Sequence, residues 1–515
     1  PEFKYILALQ ESVAVGMGES YARATETASF VSLHVDSGLA NGIALMLDAL
    51  NTGTPMVVTS ANYDVRKITE NKTDLAELVR PVTKWAVELT HPDQIPSAMR
   101  RAFNEANSHP KGPVYVGFTA NALEGTAEMN IIPSTKIFDE TRPSIQGIKE
   151  SASLLVESEK PIMIVGDRAS DDHAVNEAIE LAELLGLPVY QSRGAEVAFP
   201  TTHPQFMGNL SLRVADHREI LKRVDLVLTV GMDTFEELFY WGDPILNQDV
   251  KLIHIDPVPG KIGKSEPVSV GIISHCKLAL NELIKTVKPL LNDKSNEIIS
   301  KRKNTISKEF EESQKTYEES LSAKWNQSPM IPARMMYEIA NAVPENAVIL
   351  DDSISNRAAL RYYFKPENRG DLRAVRGQSI GGGIGATIGN QCAYPDRTVF
   401  GIIGDGSAMM TIQGLWTAAN DNIPCVFIIC NNGMYRVLKV NFNVYQKDIL
   451  DLPETAGANL LYSDFNTPFD MAAIANSMGV SGTRITKPEE IKPAIDKAVA
   501  SGKPALLDIV IDGSL

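Results

Sequence analysis

Short apolar runs alternate along the chain with longer amphipathic stretches, a pattern that predicts α/β domains built on parallel sheets. In the first third, Ala28–His34, Pro55–Ala61 and Pro113–Phe118 read as buried strands, with helical stretches over Gly38–Leu50 and Ile95–Ala106. The pattern restarts near Arg142, with strands expected at Pro161–Val165, Pro188–Gln191, Val224–Val230 and Val250–Ile255. A third set begins near Pro332 and places strands at Ala347–Leu350, Val399–Ile403, Val426–Cys430 and Ala505–Ile509. Between about Thr286 and Trp325 the chain turns polar and charge-dense, which predicts a solvated helical connector. The fold class expected is therefore α/β, with three doubly wound parallel-sheet domains at residues 1–141, 142–325 and 326–515. The first block opens abruptly, Pro1 to Tyr5 running straight into an apolar segment, as if a leading βα unit were absent.

A length of 515 residues agrees with several cores, since one core stops growing at roughly 250–300 residues. The formal charge of -15 argues against a nucleic-acid partner, because phosphate repels an acidic surface. No apolar stretch approaches the roughly 20 residues of a membrane helix. The four cysteines (Cys276, Cys392, Cys425, Cys430) lack metal-ligand spacing, and Cys425 and Cys430 sit in an apolar run. A reducing, cytoplasmic setting is the expectation.

The sharpest chemical signal lies in the third block. Strand Val399–Ile403 ends in Gly404-Asp405-Gly406-Ser407, a helical stretch follows from Gln413 to Asn420, and strand Val426–Cys430 ends in Asn431-Asn432-Gly433. A right-handed βαβ crossover puts both strand ends at one carboxyl edge, so Asp405 and Asn432 are expected to meet there. A carboxylate and an amide oxygen are hard ligands suited to Mg2+. Glycines let a backbone approach phosphates closely, and a helix N-terminus favours the anion. The competing reading is a dinucleotide site: Gly381, Gly383 and Ala386 fit G-x-G-x-x-A. Asp371-Leu372-Arg373-Ala374-Val375-Arg376, however, is a poor strand to precede it.

Gly404-Asp405-Gly406 followed by Asn431-Asn432 resembles the motif of thiamine-diphosphate enzymes. The segment from Leu9-Gln10-Glu11-Ser12 to Ala24 resembles the start of that family's pyrimidine-binding domain. Nearly the whole chain is similar to the decarboxylase and acetolactate synthase members, most of all to the benzoylformate decarboxylase branch. Ser32-Leu33-His34, Arg80-Pro81, Gly112-Pro113-Val114-Tyr115 and Leu415-Trp416-Thr417-Ala418-Ala419 carry that likeness.

The resemblance implies pyrimidine-binding, central and diphosphate-binding domains, with thiamine diphosphate and Mg2+ as cofactors. It makes Glu11 the acid against the aminopyrimidine and His34 a proton-moving residue beside the substrate. Asp405, Asn432 and the carbonyl of Met434 would hold the metal. Ser355, Gly404, Gly406, Ser407 and Tyr435 would contact the cofactor, with Gln378 offering a carbonyl to the aminopyrimidine and Ile380 supporting its bent shape. Because family members pair Glu11 and Asp405 across subunits, a homodimer is required, and a homotetramer is expected.

The implied reaction is non-oxidative decarboxylation of a 2-oxo acid, with carboligation of the resulting enamine as a further outcome. An acetolactate-synthase-like carboligase and a catalytically silent cofactor-binding paralogue remain alternatives. Departures from the pattern are Leu238 where the branch has a second histidine, Ile354 where it has threonine, and a more polar pocket with Arg436, Lys439 and Asn441. The segment Asp448 to Pro468 is longer than in that branch. Relatives hold FAD, ADP or nothing in the central domain, and no motif in residues 142–285 supports FAD here.

Overall fold

The computed structural model describes residues 4–514 except 68, 71, 139, 193–195, 211–214, 234, 236–238, 240–243, 368–369, 377–378 and 453–459. Gln378 and Leu238 thus lie outside the described residues. The first sheet contains β1 (Ser29–Leu33), β2 (Met56–Asn62), β3 (Trp85–Leu89) and β4 (Pro113–Thr119), in the order β1-β2-β4-β3. The central sheet contains β5 (Pro161–Val165), β6 (Val189–Gln191), β7 (Phe206–Asn209), β8 (Leu226–Val230), β9 (Lys251–Asp256) and β10 (Val270–Ile273), ordered β10-β9-β8-β5-β6-β7. The third has β11 (Val348–Asp352), β12 (Leu372–Ala374), β13 (Val399–Gly404), β14 (Val426–Asn431), β15 (Ser481–Ile485) and β16 (Ala505–Val510), ordered β12-β11-β13-β14-β16-β15.

Every pairing between these strands is parallel. β5, wholly apolar, and β8, apolar but for Thr229, are buried at every position, as parallel sheets covered on both faces require. The strands without an unbroken apolar signature, β3, β7, β10, β12 and β15, are those the periodicity misses. One of them corrects an expectation. Leu372–Ala374 is a strand after all, wholly buried, because Arg373 is neutralised there by Glu196 at 3.2 Å.

The first and third sheets share a plan: the order β1-β2-β4-β3 repeats as β13-β14-β16-β15. Each begins from a helix laid before its first strand, Glu11–Thr25 before β1 and Gly382–Ala393 before β13. These two helices pack on each other. A Cβ at Gly385 would lie 2.7 Å from the Val13 carbonyl oxygen, and one at Gly389 would run into that of Met17. Ser20 Oγ donates to the Ala386 carbonyl across the same contact at 2.9 Å. The close helix crossing thus belongs to Gly385 and Gly389, whereas the glycines that suggested a dinucleotide loop face other groups, Gly381 the Met410 side chain and Gly383 Asp352.

A second tie crosses all three sheets. Glu196, 1% exposed, pairs with Arg23 of the first helix and with Arg373, while Arg376 reaches Asp167 at 3.1 Å and Asp171 at 2.9 Å. Burial alone would push Glu196 upward, but Arg373, Arg23 and Arg376 outweigh it and hold the carboxyl below its ordinary range. The connector is a helix over Asp293–Ser322, capped by Asn292 and burying only Ile299 and Ile306, as its polarity predicts. No described helix is long and apolar enough to cross a membrane.

Candidate active site

Strand β13 delivers Asp405 to the carboxyl edge of the third sheet, where it starts a short helix, Asp405–Met410, with Gly404 as N-cap. The neighbouring β14 ends at Asn431, so the turn at Asn432-Gly433-Met434 arrives beside it. Asp405 accepts the Gly406 N–H at 2.8 Å and the Gly433 N–H at 2.7 Å, joining the two strand ends. The paired asparagines divide: Asn431 donates to Asp508 (2.8 Å) and Phe469 (3.1 Å) inside the fold. Asn432 lies less buried and accepts the Met434 N–H at 3.1 Å.

Burial pushes the Asp405 carboxyl up to about 6 despite its backbone donors. A buried carboxylate beside an amide oxygen and the turn's backbone carbonyls fits a hard divalent cation. No group of three or more His, Cys, Asp or Glu gathers at metal-holding spacing among the described residues. A set with one carboxylate would not form such a group.

Around this edge, Tyr435 stands over Gly406 and meets Phe465 edge to face with ring centroids 4.8 Å apart. Tyr435 N–H donates to Ser463 and Phe465 N–H to Gly433, each at 2.8 Å, so the 463–465 segment straps the turn. Ser355 lies in the single turn Ile354–Asn356 after β11, where Ile354 has φ 49°. A β-branched residue with left-handed backbone is strained, and such strain gathers at binding sites. Ile380 is 37% exposed just before the Gly382–Ala393 helix.

Ser407 departs from expectation in detail. Its hydroxyl donates to Asp352 at 2.5 Å and accepts the Gly381 N–H at 2.8 Å, so its proton is committed within the protein. Asp352 was not singled out by motif; two acids ending an apolar strand were its only signal.

At the edge of the first sheet, Glu11 opens its helix behind the Gln10 cap and accepts from Asn41 Nδ2 at 3.1 Å. His34 follows β1 and is exposed. Gly38 sits between them: a Cβ there would lie 2.7 Å from Glu11 Oε1 and 2.6 Å from His34 Cβ. The structure thus brings Glu11 and His34 together, and separately Asp405, Asn432, Met434, Ser407 and Tyr435. Among the described residues no hydrogen bond or ion pair links the two groups.

Two of the polar residues expected in the substrate pocket have partners within the chain. Lys439 pairs with Asp464 at 2.6 Å and Arg436 donates to the Ser514 carbonyl at 2.9 Å. FAD also fits poorly. Arg168 occupies the crevice where the central strand order reverses, bound to Asp256 (2.7 Å) and Asp233 (2.8 Å), with Lys261 on Asp233 at 2.7 Å. A cavity beside Arg168 and Lys261, shared with residues of the first domain, is about 140 Å3, below the roughly 300–1,000 Å3 of small-molecule pockets.

Family models of thiamine pyrophosphate enzymes match the chain in three places: the N-terminal TPP binding domain over residues 1–79, the central domain over 148–283 and the C-terminal TPP binding domain over 355–509. Benzoylformate decarboxylase of Pseudomonas aeruginosa is 27% identical, over 99% of this chain and 92% of that protein. A probable acetolactate synthase large subunit of Methanococcus aeolicus is also 27% identical, over 99% of this chain and 86% of its own length. Among solved structures, the thiamine diphosphate-dependent 4-hydroxybenzoylformate decarboxylase of Rhodococcus jostii RHA1 superposes with a TM-score of 0.83 at 26% identity, covering 99% of this chain and 93% of that one. With all three sheets matched by one family's domains and nearly every residue aligned to its members, the chain belongs to the thiamine pyrophosphate enzymes, among the 2-oxo acid decarboxylases and carboligases.

Proposed function

We propose that the chain catalyses non-oxidative decarboxylation of a 2-oxo acid with thiamine diphosphate and Mg2+. The observation that carries the reading is the pair of clusters: a buried carboxylate joined to the Asn432 turn, and a carboxylate and imidazole meeting around Gly38. Bound thiamine diphosphate supplies an electron sink for the carbon that loses CO2. Asp405, the Asn432 amide oxygen and the Met434 carbonyl would hold Mg2+, while the start of the helix that opens at Asp405 would face the diphosphate. Glu11, steadied by Asn41, would hold a proton against the aminopyrimidine, and His34 would move protons at the substrate. Ile380, exposed at the mouth of its helix, would support the cofactor's shape, and Ser355 and Tyr435 would flank the diphosphate.

The reading includes a homodimer in which one subunit's Glu11 serves the other's Asp405. Large apolar side chains stand exposed near Glu11, with Leu7 at 59% and Leu9 at 55%, and a second copy would cover them. The test is CO2 release from pyruvate, branched-chain 2-oxo acids and benzoylformate, beside Glu11→Gln. Release that Glu11→Gln abolishes supports the reading; no release from any acid by a cofactor-loaded dimer ends it. The acetolactate synthase relatives favour a second reading, carboligation. A 2-hydroxy ketone in place of free aldehyde would select it.

A further inference from the structure

We propose that Asp352 is a positioning residue that fixes the diphosphate cradle by bridging the Gly404–Ser407 turn to the start of the Gly382–Ala393 helix. The inference rests on the thiamine diphosphate reading above. Strand β11 ends in two adjacent acids, both buried, with opposite surroundings. Asp351 is matched: it accepts from Ser353 N–H (2.9 Å) and Oγ (2.7 Å) and pairs with Arg357 at 2.6 Å. Among the described residues no cation pairs with Asp352. One of its oxygens, Oδ2, accepts both the Ser407 hydroxyl at 2.5 Å and the Gly383 N–H at 3.0 Å.

The bridge extends on both sides. Ser407 Oγ takes the Gly381 N–H, and Thr411 Oγ1 donates to the Gly381 carbonyl at 2.6 Å. Two helix N-termini, one opening at Asp405 and one at Gly382, are thereby locked to a single carboxyl oxygen. Residue 383 must be glycine for this, since a Cβ would stand 2.6 Å from Oδ2 and 2.8 Å from the Asp352 Cβ. Burial, with Asp351 close by, pushes the Asp352 carboxyl up to about 7, although the Ser407 hydrogen bond and Arg357 oppose the rise. A neutral acid can keep this contact without repelling a diphosphate bound nearby.

Asparagine preserves the bridging oxygen and alanine removes it, so the two variants separate geometry from bulk folding. The experiment measures the Kd of thiamine diphosphate at saturating Mg2+ by calorimetry on the full chain, together with kcat at saturating cofactor and apo melting temperature. Asp352→Ala should weaken cofactor binding by about tenfold or more, with the loss in Kd rather than kcat, while Asp352→Asn stays within about threefold of wild type. Ser407→Ala should follow Asp352→Ala and carries the test if that variant does not fold. Unchanged Kd in Asp352→Ala and Ser407→Ala would overturn the proposal, as would Asp352→Asn losing as much as Asp352→Ala. A wild-type chain that binds no thiamine diphosphate would instead overturn the functional reading on which it rests.

Discussion

Three buried aspartates at one sheet edge meet two opposite fates, and neighbours within a few ångströms decide each. Asp351 finds Arg357 and is held below the ordinary carboxylate range against the pull of burial, while Asp352 and Asp405 find only neutral donors and are pushed up. For Asp352 the folded carboxyl, near 7, binds its proton more tightly than the unfolded one, whose ordinary value is 3.8. The folded form therefore keeps a proton that the unfolded form has released, and stability falls as pH rises from about 4 to about 7, by up to roughly 1.4 kcal/mol per unit. Urea unfolding of the cofactor-free chain at pH 5 and pH 8 should show the fall, and Asp352→Asn should flatten it. An unaltered difference in the variant refutes the assignment. Asp405→Asn removes the one carboxylate from the expected metal set, so Mg2+-dependent binding of thiamine diphosphate should drop below detection by calorimetry. Retained binding would place the metal elsewhere. Asp405 and Asn432 were readable in sequence because each ends an apolar strand in a motif. Asp352 was not, since its partners come from two segments whose register no local pattern reveals.

At the level of elements, the crossing of Glu11–Thr25 with Gly382–Ala393 shows why glycines are tolerated inside helices at a cost of about 1 kcal/mol each. Gly389 lets one helix backbone sit against the Met17 carbonyl of the other. Gly389→Ala forces the helices apart and should destabilise the chain by about 2 kcal/mol or more, read from chemical denaturation. A neutral result would mean the contact is loose. Gly381 and Gly383, which read along the chain as part of a dinucleotide fingerprint, instead make room for Met410 and Asp352, uses that only the folded neighbours reveal. Strand legibility follows the same physics. β5, β8, β13 and β14 are almost wholly apolar, broken only by Thr229 and the closing Asn431, and easily read. Three-residue β12 carries a buried arginine that makes sense only with Glu196 opposite.

Across the whole molecule, the Glu196 network is what fastens the central sheet to the other two at buried charges. Removing one member leaves cations stranded, an error worth about 3–5 kcal/mol. Glu196→Gln should therefore lower the melting temperature, and calorimetry should resolve separate transitions where the parent shows one. A variant as stable as the parent would show that the arginines find other partners. None of this was visible beforehand, because Arg23, Glu196 and Arg376 are distant in sequence and look like ordinary surface charges.

The repetition of β1-β2-β4-β3 as β13-β14-β16-β15 carries a last consequence. Both clusters stand where the first strand of each copy gives way to its loop, Glu11 and His34 on one and Asp405 on the other. In the proposed reading, acid–base work and anchorage fall to separate renditions of a single blueprint. Loops around His34 can drift toward new reactants while the grip on the phosphates stays untouched, a modularity by which one scaffold acquires different chemistries.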